Sequence, residues 1–130
     1  MNEYKYITKD SVIAEYKSTG IIFEGLLKEV RELSRKKPDA TMSSGKVKII
    51  NRVLDDLLAF LHGEPEGKYL EKLDDAALPQ VSDAVLIMVQ FETALDAFKK
   101  RYLQRVAGEM KWITEEWIAQ QTELEKRYRT

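Results

Sequence analysis

Three prolines divide this chain into stretches of helical apolar periodicity. Pro38, Pro65 and Pro79 all fall between runs in which apolar residues recur every three or four positions, the spacing of one face of an α-helix. Proline is poorly tolerated inside a helix, because it lacks an amide donor and its ring clashes with the preceding turn. The pattern therefore predicts one all-α domain, an antiparallel helical bundle of three long helices or of four.

The first two helices are predicted over about residues 11–37 and 46–61. The apolar face of the first comprises Ile13, Tyr16, Gly20, Phe23, Leu27 and Val30, and that of the second Val47, Ile50, Leu54, Leu57 and Leu61. Gly20 and Gly25 inside the first helix indicate either a close helix crossing or a break. Residues 1–9 are predicted to form an N-terminal arm. Residues 63–79 form a long acidic connection, which is unusual in a small domain and indicates a functional or a mobile segment.

The third helix begins near Gln80, and its length depends on what happens at Gly108. Its apolar face continues past the glycine through Val106, Met110, Ile113, Trp117, Leu124 and Tyr128, and no Pro, Asn, Asp or Ser nearby marks a turn. We therefore expect one helix, continuous or kinked, from about residue 80 to 128, with residues 107–130 as a C-terminal helical extension that projects. The alternative is a turn at Gly108 and a fourth helix that folds back into the core.

The apolar face of the predicted long helix extends beyond a domain of this size and would be exposed there. It predicts an interface, because large exposed apolar patches usually mark association sites. The expected anchors are Trp112, Ile113, Trp117, Leu124 and Tyr128. Aromatic side chains are favoured as interface anchors. The sequence therefore favours a non-enzymatic interaction or scaffold protein, either a homo-oligomer, with a dimer favoured, or a subunit bound to another protein.

Charge is unevenly spread although the net charge is −1. Residues 1–54 carry a balance of +4, residues 55–92 of −7 and residues 93–130 of +2. Solvated helix faces explain this distribution, and docking through complementary charge is the alternative. Lys99, Lys100, Arg101 and Arg105 form a basic cluster that could contact nucleic acid or another anion, although the sequence pI of 5.9 is low for a nucleic-acid binder.

Residues with catalytic or metal-binding chemistry are few. The chain has no cysteine and one histidine, His62, so thiolate sites and zinc sites with two histidines are excluded and no cofactor is indicated. Acidic pairs, Glu29 with Glu32 and Glu71 with Asp74, leave a magnesium-dependent nucleotide phosphohydrolase as a third hypothesis. No apolar run is long enough for a signal peptide or a membrane span, so a cytoplasmic protein without a membrane partner is expected.

Overall fold

The computed structural model describes residues 4–129, so that residues 1–3 of the predicted arm and Thr130 of the predicted extension lie outside the described residues. The fold is predominantly all-α, which confirms the predicted class. Its elements, in chain order, are α1 (Asp10–Lys36), α2 (Ser44–Leu61), a 3₁₀-helix (Pro65–Tyr69), α3 (Val81–Tyr102), β1 (Leu103–Val106), β2 (Glu109–Trp112) and α4 (Glu115–Arg129).

Helix α1 forms one unbroken helix with a single buried face. Ile13, Phe23, Leu27 and Val30 are buried, as their three-four spacing predicts. The chain neither breaks nor makes a close crossing at the two internal glycines: a Cβ atom at Gly20 or Gly25 would meet nothing within 4 Å. The expectation of a crossing or a break at these positions was wrong, and both positions have room for a side chain.

Helices α1, α2 and α3 meet at one end of the bundle. Thr41 and Gln80 form an antiparallel β-bridge, Met42 N donates to Pro79 O at 2.8 Å, and Val81 N donates to Ala40 O at 2.8 Å. Because α1 ends at this junction while α2 and α3 begin there, α1 runs antiparallel to both of the other helices. Ser43 caps α2, since its side chain accepts a hydrogen bond from Lys46 N at 3.2 Å.

The acidic connection returns from the end of α2 to the start of α3. It begins with the 3₁₀-helix and then packs along α2 through the buried side chain of Leu73. The Asn51 side chain pairs with the backbone of Leu73 in both directions, each hydrogen bond being 2.9 Å. Lys72 also forms an ion pair with Asp55 at 2.9 Å. These contacts hold the part of the connection that follows the 3₁₀-helix against α2.

The chain turns at Gly108 through a β-hairpin, so the expected continuous helix from residue 80 to 128 is wrong. Helix α3 ends at Tyr102, and β1 pairs antiparallel with β2, with Leu103 opposite Trp112. Ala107 and Gly108 both have positive φ, 51° and 85°, which is the requirement of a two-residue type I′ hairpin turn. The alternative is confirmed in its turn at Gly108 and in its fourth helix, α4, but α4 contributes no buried residue to the core, so that it does not fold back into the bundle.

None of the helices within residues 4–129 is both long and apolar enough to cross a membrane.

Candidate interaction surface

Two of the five expected interface residues lie inside the protomer. Ile113 is fully buried, and its backbone N–H donates to Tyr102 O at 2.8 Å. The half-buried Trp112 ring packs 5.3 Å from the Tyr16 ring and 6.5 Å from the Phe98 ring, measured between centroids. Ile113 is therefore a core residue of its own protomer, and Trp112 packs the hairpin against the bundle while part of its ring stays exposed.

Trp117 lies at the base of α4, where the helix is attached to the rest of the chain. Its backbone N–H donates to the Thr114 side chain at 3.0 Å, which caps the helix. Its half-buried ring makes an edge-on contact with Tyr4, with 5.7 Å between the centroids. Thr8 pairs with Thr114 in a parallel β-bridge, so the N-terminal segment holds the start of α4 in place.

The rest of α4 is exposed along its whole length. Every residue from 119 to 129 is exposed, including Leu124 at 42% and Tyr128 at 87% of their full accessible surface. With Trp117 these residues recur at seven and four positions, which places all three on one face of the helix. Leu124 and Tyr128 are the two predicted interface residues that the structure leaves open to a partner.

The charges of α4 are separated along its axis. Glu115 and Glu116 lie in the first turn, and Lys126, Arg127 and Arg129 lie in the last. This arrangement complements the helix dipole, which favours anions at the N-terminus and cations at the C-terminus. It also gives the exposed helix one acidic and one basic end.

The structure divides the predicted basic cluster. Arg101 binds Glu64 at 2.7 Å and Glu66 at 2.8 Å, and its side chain is only 13% exposed. Lys99, Lys100 and Arg105 remain exposed, and Arg105 donates to the Gly108 carbonyl at 3.1 Å. Three of the four cations of the predicted cluster therefore remain at the surface, and Arg101 is taken up by carboxylates of its own chain.

A polar cluster that the sequence did not reveal fastens the acidic connection to α3. Tyr102 donates its hydroxyl to the Glu64 carboxylate, 2.9 and 3.0 Å from its two oxygens, and Arg101 lies over the Tyr6 ring at 5.7 Å. Burial, followed by the Glu64 carboxylate, raises the pKa of Tyr102 to about 12. The hydrogen bond from Arg101 lowers the pKa of Glu66. The cluster joins residues of the arm, the connection and α3 that lie far apart in the chain.

One member of each acidic pair of the phosphohydrolase hypothesis makes a local contact. Glu32 binds Arg35 at 3.0 Å, and Asp74 accepts hydrogen bonds from the backbone of Ala76 and Ala77, which lower the pKa of its carboxyl group. Between residues 4 and 129 no three potential metal ligands from histidine, cysteine or acidic side chains come together. His62 is exposed, with its Nδ1 3.0 Å from the Leu58 carbonyl oxygen.

Comparison of the chain with protein-family models, with curated proteins and with solved structures gives no match. Its function must therefore be argued from its own surface.

Proposed function

We propose that this chain is a non-enzymatic interaction protein that associates with itself through α4. The observation that supports the proposal is a helix of 15 residues without a buried residue. A helix of this length is only marginally stable in water by itself. Packing of an apolar face supplies most of the stability of helices in proteins, and here that packing has to come from a partner.

The exposed side chains of α4 suit protein association. Leu124 and Tyr128 share a face with Trp117, and a large aromatic side chain contributes strongly when an interface buries it. The buried Ile113 that follows the hairpin and the Thr8–Thr114 bridge hold the base of α4. A fixed base lowers the entropy lost on binding, because less of the segment has to be ordered.

The test compares Leu124→Glu with the control Leu86→Glu, which changes a leucine on α3 that is 65% exposed, against 42% for Leu124. We expect the wild-type chain and the control to be oligomeric by light scattering, and Leu124→Glu to be monomeric with an unchanged circular dichroism spectrum. The reason is that a carboxylate buried at an apolar contact loses its hydration without gaining a partner.

A wild-type chain that stays monomeric at concentrations up to about 1 mM would refute self-association. Its dissociation constant would then exceed about 1 mM, which is weaker than ordinary specific binding. Equal oligomer content in Leu124→Glu and Leu86→Glu would place the interface elsewhere than α4.

A further inference from the structure

An apolar groove lies between α1 and α2, in the half of the bundle where α1 ends and α2 begins. Its cavity volume is about 270 Å³. The apolar residues of its lining are Leu26, Val30, Leu33, Met42, Ile49 and Ile50, and Glu29 and Lys46 are the charged ones. Ile49 remains 49% exposed. The groove is therefore an apolar surface that the protomer does not cover.

The apolar surface extends along α1 beyond the groove. Ile22 is 55% exposed, and it lies one turn before Leu26 on the same helix face. From Ile22 to Leu33 this strip runs for about 16 Å at 1.5 Å per residue. Its length is sufficient for three turns of a docked helix.

Helix α4 matches the strip in length. Its apolar positions from Trp117 to Tyr128 are separated by the same number of residues as Ile22 and Leu33, so they also span about 16 Å. An amphipathic helix that lays such a row of anchors into an apolar groove is a recurrent mode of protein recognition. The chain thus carries both an open apolar groove and a helix, α4, that buries none of its residues in its own protomer.

Charge favours the same pairing. Lys46 borders the groove on α2 and Glu29 borders it on α1. The charged residues of the adjoining cleft are Lys48, Arg52, Asp55, Lys72 and Asp75, of which Asp55 is already paired with Lys72. In α4, Glu123 and Glu125 lie on either side of Leu124 in the sequence. Glu123 and Glu125 project to opposite sides of Leu124, so docking of α4 along the groove turns one of the two carboxylates toward the cations of α2. Opposite charges across an interface favour correct pairing.

The position of α4 in the protomer indicates that the occupant is a second copy. The bridge between Thr8 and Thr114 fixes the start of α4 beside the N-terminus of α1. The groove, in contrast, lies near the C-terminus of α1. Residues 119–129 are exposed in their own protomer. Two copies can exchange their helices about a two-fold axis, as is usual for homodimers. Reciprocal docking buries twice the surface of a single contact. This brings the total buried surface closer to the range of about 1,200–2,000 Å² that is typical of stable complexes.

We propose that α4 of each protomer docks in the α1–α2 groove of a second copy, forming a reciprocal dimer. This inference rests on the proposed function, self-association through α4, and adds the surface that receives the helix. The groove and the helix are then two halves of one interface. A defect in either half breaks both contacts of a homodimer but only one contact of a mixed dimer.

The experiment uses full-length protein with Ile49→Glu in the groove, Leu124→Glu on α4 and Leu86→Glu as control. We expect at least a tenfold weaker dimer for each of the first two variants and no change for the control, measured by sedimentation equilibrium. An equimolar mixture of Ile49→Glu and Leu124→Glu, carrying different tags, should form mixed dimers more tightly than either variant forms homodimers. The mixed dimer retains one intact groove and one intact helix that fit each other.

Each result decides between the two proposals. If Leu124→Glu is monomeric while Ile49→Glu dimerises like wild type, α4 binds another surface and the groove proposal falls, while self-association through α4 stands. If the mixture forms no mixed dimer, reciprocal exchange is refuted. If the wild-type chain is monomeric, both proposals fail. Ile22→Glu provides a second groove variant should Ile49→Glu lose its helical circular dichroism.

Discussion

At the scale of single residues, Tyr102 lies on the apolar face of α3 and also donates a hydrogen bond through its hydroxyl group. Its spacing predicts a core position in α3, and it is indeed buried. Its hydroxyl group reaches Glu64 of the acidic connection, because a buried tyrosine hydroxyl needs a hydrogen-bond partner. No local pattern in the sequence links these two positions, which are brought together by the return of the connection along α2.

Replacing Tyr102 by phenylalanine should lower the free energy of unfolding at pH 8 by about 1–2 kcal/mol, because a hydrogen bond to a charged group is lost. The folded-state pKa of Tyr102, about 12, exceeds the ordinary tyrosine pKa of 10.0. The neutral Tyr102 hydroxyl group therefore contributes its full share to the free energy of unfolding below pH 10. This contribution is lost as the pH rises from 10 toward 12. Urea unfolding at pH 8 and pH 11 should show a smaller alkaline loss for Tyr102→Phe than for wild type. An equal loss in both proteins would contradict this assignment.

At the scale of elements, the glycines of the helices and of the connection have opposite structural roles. Gly25 lies in α1 with open space where a side chain would go, whereas a Cβ atom at Gly67 would come within 2.6 Å of the Leu61 carbonyl oxygen. The close approach of the 3₁₀-helix to the end of α2 thus requires glycine at position 67. Both positions look alike in the sequence, and only the packing of the connection distinguishes them.

Gly25→Ala should raise the free energy of unfolding by about 0.5–1 kcal/mol, because alanine loses less backbone entropy in a helix. In a domain of this size, that corresponds to an increase in melting temperature of roughly 2–6 °C. Gly67→Ala should lower the melting temperature, since backbone atoms have to move to admit the methyl group. Thermal unfolding of the two variants in parallel is the measurement, and a stabilised Gly67→Ala would show that the connection does not pack as described.

At the scale of the whole molecule, the hairpin separates the core from the exposed helix α4. Phe98 and Tyr102 of α3, Tyr16 of α1 and Trp112 of β2 form one aromatic cluster. Ile113 follows Trp112 into the core, and α4 begins two residues later. One apolar stripe in the sequence is therefore divided: Ile113 lies in the interior of the protomer, whereas Met110, Leu124 and Tyr128 lie at its surface.

This division predicts different outcomes for two similar truncations. Ile113→Ala should lower the free energy of unfolding by about 2–5 kcal/mol, because it creates a cavity in the core. Leu124→Ala should lower it by less than about 1 kcal/mol in the monomer, because that side chain is largely exposed. Urea unfolding at protein concentrations where each variant is monomeric provides the comparison. Equal losses would mean that α4 packs on its own bundle.

The sequence by itself determined the helices α1, α2 and α3. A three-four apolar repeat over many turns places the apolar side chains on one face of a helix, and burial of that face in the core stabilises the helix. Only the tertiary structure decided the region after Tyr102. The apolar repeat there fits a helix as well as it fits a hairpin, and Ala107-Gly108 is a weaker turn signal than Asn-Gly or Asp-Gly. Packing of Trp112 on Tyr16, far away in the chain, favours the hairpin, and the hairpin in turn leaves α4 exposed.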